Sequence, residues 1–233
     1  MTEQAYALVT IPHPDDAELR MAGAVARWTR EGKDVIYVIC TNGDKGSSDP
    51  DTIPEELARI REQEQLAAAE ILGLREVIFL RYPDQNLENT PELRKELVRL
   101  IRTYKPEIVV TVDHSSFYIH RDHRITTQVT MDAVFPIAGT IAYTDLLEQG
   151  LYPHKVKEIL FCGSENPNYF IDITDTIDLK IAALRCHESQ VGDRPQFGEM
   201  VRERAKMSAQ GQDYKFAEGF YREVIPWQDY EHL

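Results

Sequence analysis

Four short runs of apolar residues, each followed by a stretch with helical periodicity, constrain this chain more than any other feature. The runs are Tyr6–Ile11, Val35–Cys40, Val77–Leu80 and Ile108–Val112. They lack the in–out alternation of a half-exposed strand, so they read as strands buried on both faces. Helical segments follow at residues 17–31, closed by Gly32, and at residues 54–72, with Pro54 in the first turn and Gly73 at the end. Two more follow at Pro91–Tyr104 and from about Asp122 to Val134. Alternation of this kind predicts an α/β fold: a Rossmann-like, doubly wound, mostly parallel sheet with helices on both faces. After about residue 136 the pattern loosens. Lys155–Cys162 and Tyr169–Thr174 read as extra strands, and Asp178–His187 and Gly198–Met207 as extra helices, in the C-terminal third. No repeat, low-complexity tract or linker interrupts the sequence, so residues 1–233 are expected to form one domain.

Charge narrows the partners. The formal net charge is −13, which disfavours nucleic acid and anionic membrane. No apolar run approaches the ~20 residues of a membrane helix, and Met1-Thr2-Glu3-Gln4 is unlike the start of a signal peptide. A cytoplasmic setting is expected. The three cysteines, Cys40, Cys162 and Cys186, are scattered without a CxxC pair. Neither a disulfide framework nor a thiolate zinc site is indicated, and the two in strands read as small buried hydrophobes.

In a sheet of this kind, ligands collect beyond the carboxyl ends of the strands. His13-Pro14-Asp15-Asp16 follows the first strand, and His120-Arg121-Asp122-His123 lies shortly after the fourth. Those two strands are neighbours in a doubly wound topology, so the clusters should meet. A catalytic zinc takes three protein ligands and keeps a fourth position open. His13 and Asp16 can converge on one ion. The third ligand should be His120 or His123, and His123 is better placed because it opens a helix. Asp15 is then free to take a proton from water near the metal. His120 is left to stabilise an oxyanion or protonate a leaving group, with Asp122 to orient it and hold it charged.

Each motif alone has a plainer reading. Asp16 could cap the helix that follows it, and His-x-Asp-His alone is ambiguous. Their joint placement at the ends of two neighbouring strands points to metal binding. Arg61, in Arg59-Ile60-Arg61-Glu62-Gln63-Glu64, could be a solvated helix charge or a group that reaches the sheet edge to hold substrate hydroxyls. Thr41-Asn42-Gly43-Asp44-Lys45-Gly46-Ser47-Ser48 lacks phosphate-loop spacing and reads as a substrate-facing loop, with Asp44 as a candidate contact. His114 has no clear role, and His154 and His232 read as surface residues.

With these motifs the chain resembles the LmbE/PIG-L-like zinc deacetylases. The likeness runs through His13-Pro14-Asp15-Asp16-Ala17-Glu18, Thr41-Asn42-Gly43-Asp44, Ile60-Arg61-Glu62-Gln63-Glu64, Tyr82-Pro83-Asp84, Lys180 and His187-Glu188-Ser189-Gln190. It is greatest to the diacetylchitobiose deacetylases. The resemblance implies one zinc ion per chain on His13, Asp16 and His123, with Asp15 as general base and His120 as oxyanion stabiliser or acid. It also implies Arg61 at the substrate, an N-acetylglucosamine-type small molecule as that substrate, and a homo-oligomer, hexameric in some relatives. Three positions depart from the usual pattern. Arg121 stands where a proline is usual, and Arg20 and Ala22 where small residues and glycine are usual in the first helix.

Three rivals remain. A larger thiol-sugar conjugate could be the amide substrate. Two histidines and a carboxylate also form the iron triad of oxygenases, usually on other scaffolds. A non-catalytic sugar-binding module would leave Asp15 and His120 unexplained.

Overall fold

The first strand, β1 (Ala7–Ile11), is wholly buried, and its alternate side chains enter two different cores. Ala7, Val9 and Ile11 belong to one, and Leu8 belongs to the other. The structure, a computed structural model, describes residues 4–113, 120–192 and 194–227. His114 and His232 lie outside the described residues.

The chain continues through α1 (Asp16–Arg30), β2 (Val35–Thr41), α2 (Pro54–Leu72), β3 (Glu76–Tyr82), α3 (Pro91–Tyr104), β4 (Ile108–Val112) and α4 (Arg121–Val134). After a 3-10 turn at Ile137–Gly139 come α5 (Thr144–Glu148), β5 (Glu158–Cys162), β6 (Tyr169–Asp172), α6 (Ile177–Arg185), α7 (Glu188–Val191), α8 (Phe197–Ser208) and β7 (Ala217–Val224). Among the described residues the strands form one seven-stranded sheet in the order β3-β2-β1-β4-β5-β7-β6. β1 pairs in parallel with both β2 and β4, in registers Leu8–Ile36 and Leu8–Val109. Strand order therefore reverses between β1 and β4, as expected, and the crevice at their carboxyl ends is where ligands gather.

Helices cover both faces. Met21 and Val25 of α1, Ile177 and Ile181 of α6, and Phe197 and Val201 of α8 pack on one face. Leu93 and Leu97 of α3 and Val129 and Ala133 of α4 pack on the other. The helix ends follow the sequence signals. Thr90 Oγ1 caps α3 by accepting from Leu93 N, and Gly73 closes α2 at φ 68°. Among the described residues no helix is long and apolar enough to cross a membrane. Cys40 and Cys162 are buried in β2 and β5 and unpaired. His154 is half-buried rather than on the surface, with Nε2 2.7 Å from Pro106 O.

The last strand, β7, is absent from the sequence expectation. It runs antiparallel to both β5 and β6 and lies between them. Its Glu218 is buried. The carboxylate accepts from Gly23 N at 3.1 Å, Ala24 N at 2.7 Å and Lys180 Nζ at 2.5 Å, while Lys180 also donates to Leu19 O at 3.0 Å. Two buried side chains thus partner the backbone groups in the middle of α1.

Arg102 of α3 is equally buried. Nε donates to Ala138 O (3.3 Å), Nη1 to Leu151 O (3.5 Å), and Nη2 to Ile137 O (3.3 Å), Thr140 O and Ala142 O (both 2.8 Å). Burial lowers its pKa, and among the described residues no carboxylate partners it.

Candidate functional site

The sheet brings both sequence clusters to the crevice above β1 and β4. Asp16 stands at the first turn of α1, yet its carboxylate caps no helix N–H. Oδ2 instead accepts from His13 N at 3.2 Å and lies 3.0 Å from His13 Nδ1 and 3.1 Å from His123 Nε2. His123 is fixed from the other side. Thr127 Oγ1, one turn along α4, donates to His123 O (2.9 Å) and to Val112 O at the end of β4 (2.7 Å).

These donors suit a metal ion. Bonds of about 2.0–2.1 Å in a tetrahedron place ligand atoms roughly 3.3 Å apart, close to the distances from Asp16 Oδ2. The ring nitrogens of His13, His120 and His123 also lie within 4.8 Å of one another, as do the donor atoms of His13, Asp84 and Asp122. In the last group both carboxylates already serve the backbone. Asp84 Oδ2 accepts from Lys45 N (3.3 Å) and Asp122 Oδ2 from Gln85 N (2.6 Å). They stand behind His13, with Nε2 3.0 Å from Asp84 Oδ1 and 3.5 Å from Asp122 Oδ2. That is the placement of carboxylates which orient a ligating histidine.

The electrostatics follow the geometry. Burial disfavours the charge of His13, but hydrogen bonds to Asp122, Asp16 and Asp84 override it and raise the imidazole to about 11. Burial would raise Asp16, yet the charges and hydrogen bonds of His123 and His13 hold it well below the carboxylate range. Asp84 is held at about 2 by His13 against its own burial. Asp15 behaves oppositely. Burial first, then the neighbouring charge of Asp16, push it up to about 7, against Arg61, His187 and His13. Two adjacent carboxylates are thereby pushed apart, one held ionised and one poised to exchange a proton near neutrality.

Asp122 is turned differently from the sequence expectation. Its carboxylate faces His13, and its backbone N–H donates to His120 Nδ1 at 3.1 Å. That bond leaves Nε2 as the proton-bearing nitrogen of His120. Burial and the charge of His13 also lower the His120 pKa, which favours the neutral ring.

The cleft has a volume of about 260 Å³, and Asp15, Arg61 and His120 line it together with Lys45, Gly46, Gln85 and Gln190. Arg61 is 3% exposed, and two of its nitrogens serve the backbone: Nη1 donates to Gly43 O (2.9 Å) and Nη2 to Pro14 O (2.6 Å). The loop after β2 wraps this guanidinium so closely that only glycine fits. A Cβ on Gly43, itself at φ +63°, would lie 2.7 Å from Arg61 Nη1, and one on Gly46 would collide with the same atom. Asp44 is not in the cleft lining. Its Oδ1 accepts from Asp84 N (3.2 Å) and Lys45 Nζ (3.1 Å), so it supports the β3 end of the site. Arg20 turns toward the site, its Nε 3.7 Å from Asp16 Oδ1 and its side chain lying over Gly163. Arg121 reaches across to Leu87 O and lies 3.5 Å from Asp122 Oδ1.

Sequence reasoning gave no role to Asp84, Lys45 or Gln190. Asp84 carried a usable signal, since it follows β3 as His13 follows β1. Gln190, in α7, was part of a stretch that carries the family resemblance, and Lys45 carries no signal beyond its place in a loop.

Fold and site together define an α/β protein with a candidate two-histidine, one-carboxylate centre at its topological switch point. The chain belongs to the PIG-L family, described as GlcNAc-PI de-N-acetylase, whose pattern matches residues 8–134. It is 38% identical over 181 residues to the diacetylchitobiose deacetylase of Thermococcus kodakarensis, covering 77% of this chain and 67% of that one. It is 31% identical over 167 residues to the mycothiol S-conjugate amidase of Streptomyces coelicolor, covering 62% and 57% respectively. The solved N,N'-diacetylchitobiose deacetylase of Pyrococcus horikoshii superposes with a TM-score of 0.88 at 31% identity, over 97% of this chain and 85% of that one.

Proposed function

We propose that this protein is a zinc-dependent amide hydrolase that removes the acetyl group from the 2-acetamido nitrogen of an N-acetylglucosamine-containing small molecule. His13, Asp16 and His123 would hold the ion, one per chain. Asp15 would be the general base, and His120 the oxyanion donor or acid. The observation that carries this reading is Asp16 Oδ2 at 3.0 and 3.1 Å from two imidazole nitrogens, with Asp15 beside it raised to about 7. Relatives named as deacetylases of acetylated amino sugars support the substrate class.

Zinc would supply Lewis acidity, polarising the acyl oxygen and making water acidic near neutral pH. Asp15 accepts the proton of the attacking water as its oxygen bonds to the acetyl carbon. The carbon–nitrogen bond then breaks, the nitrogen takes the proton that Asp15 received from water, and acetate and a free amine leave. His120 Nε2–H is the donor for the oxygen that gains charge. Arg61 borders the sugar subsite. The unpaired, mostly buried cysteines suit a reducing compartment, and a cytoplasmic homo-oligomer belongs to the same reading.

Hydrolysis of a larger thiol-sugar conjugate is the competing reading, favoured by the amidase relative. One experiment separates them: acetate release from a panel of N-acetyl amino sugars, before chelation, after it, and after zinc is restored. Release that stops with the chelator and returns with zinc supports the proposal. Stoichiometric zinc with no acetate from any sugar would overturn the substrate assignment.

A further inference from the structure

We propose that α2 carries a two-residue clamp, Arg61 and Gln65, that sets the orientation of Asp15, and that Glu18 and His187 lock that clamp in place. The proposal rests on the reading of Asp15 as the general base.

Asp15 has φ 98° and ψ −26°, left-handed backbone at a residue other than glycine. Such a conformation persists only when the surroundings impose it. Here both polar atoms of the peptide unit before it are held. Pro14 O accepts from Arg61 Nη2 at 2.6 Å, and Asp15 N donates to Gln65 Oε1 at 3.2 Å. Fixing the C=O and N–H of one peptide fixes its plane, and φ of Asp15 is rotation against that plane. The two grips come from one face of α2, because Arg61 and Gln65 are four residues apart. Arg61 Nη2 also lies 3.5 Å from Asp15 Oδ2, so backbone and carboxylate are positioned by the same side chain.

The Gln65 amide must present oxygen, not nitrogen, to Asp15 N. Glu18 selects that orientation by accepting from Gln65 Nε2 at 2.9 Å. The second oxygen of Glu18 lies 3.3 Å from His187 Nε2. Gln65, Glu18 and His187 are all 0% exposed. Gln65 and Glu18, fully buried and hydrogen-bonded in series to the Asp15 backbone, are costly unless the order they impose is used. His187 packs against the second oxygen of Glu18 without a hydrogen bond, which sets the segment from His187 to Gln190, and with it Gln190 of the cleft, beside the clamp.

The test uses Gln65→Met, which keeps the volume and removes both polar groups, and Gln65→Asn, which keeps the groups one methylene short. Misplacement of a catalytic group by about 1 Å costs on the order of 100-fold. Both variants should lose about 10- to 100-fold in kcat, with KM and zinc content near wild type and Tm lowered, because Asp15 N and Glu18 lose a buried partner. Glu18→Gln, which retains an acceptor for Gln65 Nε2, should keep kcat within a few-fold, and Glu18→Ala should not. Crystal structures of the Gln65 variants should show Asp15 leaving the left-handed region. An unchanged kcat, or Asp15 holding its φ and its place beside Arg61 in both variants, would overturn the proposal. The crystallographic readout needs no substrate. A wild-type enzyme that releases no acetate would therefore sink the proposed reaction and leave the clamp to be judged on the Asp15 backbone alone.

Discussion

His13 is where proton and metal compete. Its imidazole is buried, which opposes charge, yet Asp122, Asp16 and Asp84 raise it to about 11. Nδ1 faces Asp16 and Nε2 faces Asp84. An ion on Nδ1 requires that nitrogen bare, while Nε2 keeps its hydrogen for Asp84. Every ion taken up therefore displaces a proton from His13 throughout the working pH range. Because the imidazole is raised, the proton competes most strongly at low pH, and zinc affinity must climb as pH rises toward 11. The slope for one displaced proton is tenfold per pH unit, about 1.4 kcal/mol, or roughly 30-fold between about pH 7.5 and 9. Chelated protein titrated from a zinc buffer measures the slope. Calorimetry in two buffers of different ionisation heat counts at least one proton per ion. In the double variant Asp84→Ala/Asp122→Ala two of the three carboxylates are gone, His13 falls back toward its ordinary 6.5, and the count in that window drops by one. Zinc affinity that is flat with pH, or a proton count unchanged in the double variant, would refute the reasoning.

Further outcomes follow from the same geometry. Asp15→Asn should retain stoichiometric zinc, measured by elemental analysis, and lose about 10²- to 10⁴-fold in kcat, the usual contribution of a general base. Gly46→Ala places a methyl group against Arg61 Nη1 and forces the guanidinium off Pro14 O and Gly43 O. It should cost about 1–3 kcal/mol in urea unfolding and lower kcat together with stability. Arg102→Lys leaves three donors for five carbonyls, so about 2–4 kcal/mol of stability should go, while kcat/KM of the folded fraction stays unchanged.

The first four strands and their helices were legible because their apolar runs obey the periods of buried strand and amphipathic helix. β7 was not. Glu218, Gly219, Arg222 and Glu223 break any apolar run, and half the strand is exposed. It is a strand because β5 and β6 offer it partners, which local sequence does not record. The site divides the same way. His13, Asp16, His120 and His123 announced themselves as ligand types at strand ends. Gln65, Glu18 and Arg61 look like ordinary polar positions on helices, and only packing reveals that all three are buried. Asp122 was placed in the right cleft with the wrong partner, because spacing in sequence cannot say which of two neighbouring imidazoles a carboxylate faces.

The surroundings of Arg102 resemble a cation site in which the cation is part of the chain. Between Ile137 and Leu151 the backbone turns its carbonyls inward on a positive charge, as a binding loop does on an ion. An ion can leave and be replaced, whereas this one is delivered by α3 and is present at the loop's own concentration from the moment that helix docks. The loop should therefore assemble with α3 as one cooperative unit, and its amides should exchange hydrogen together with those of the helix rather than as an independent surface segment.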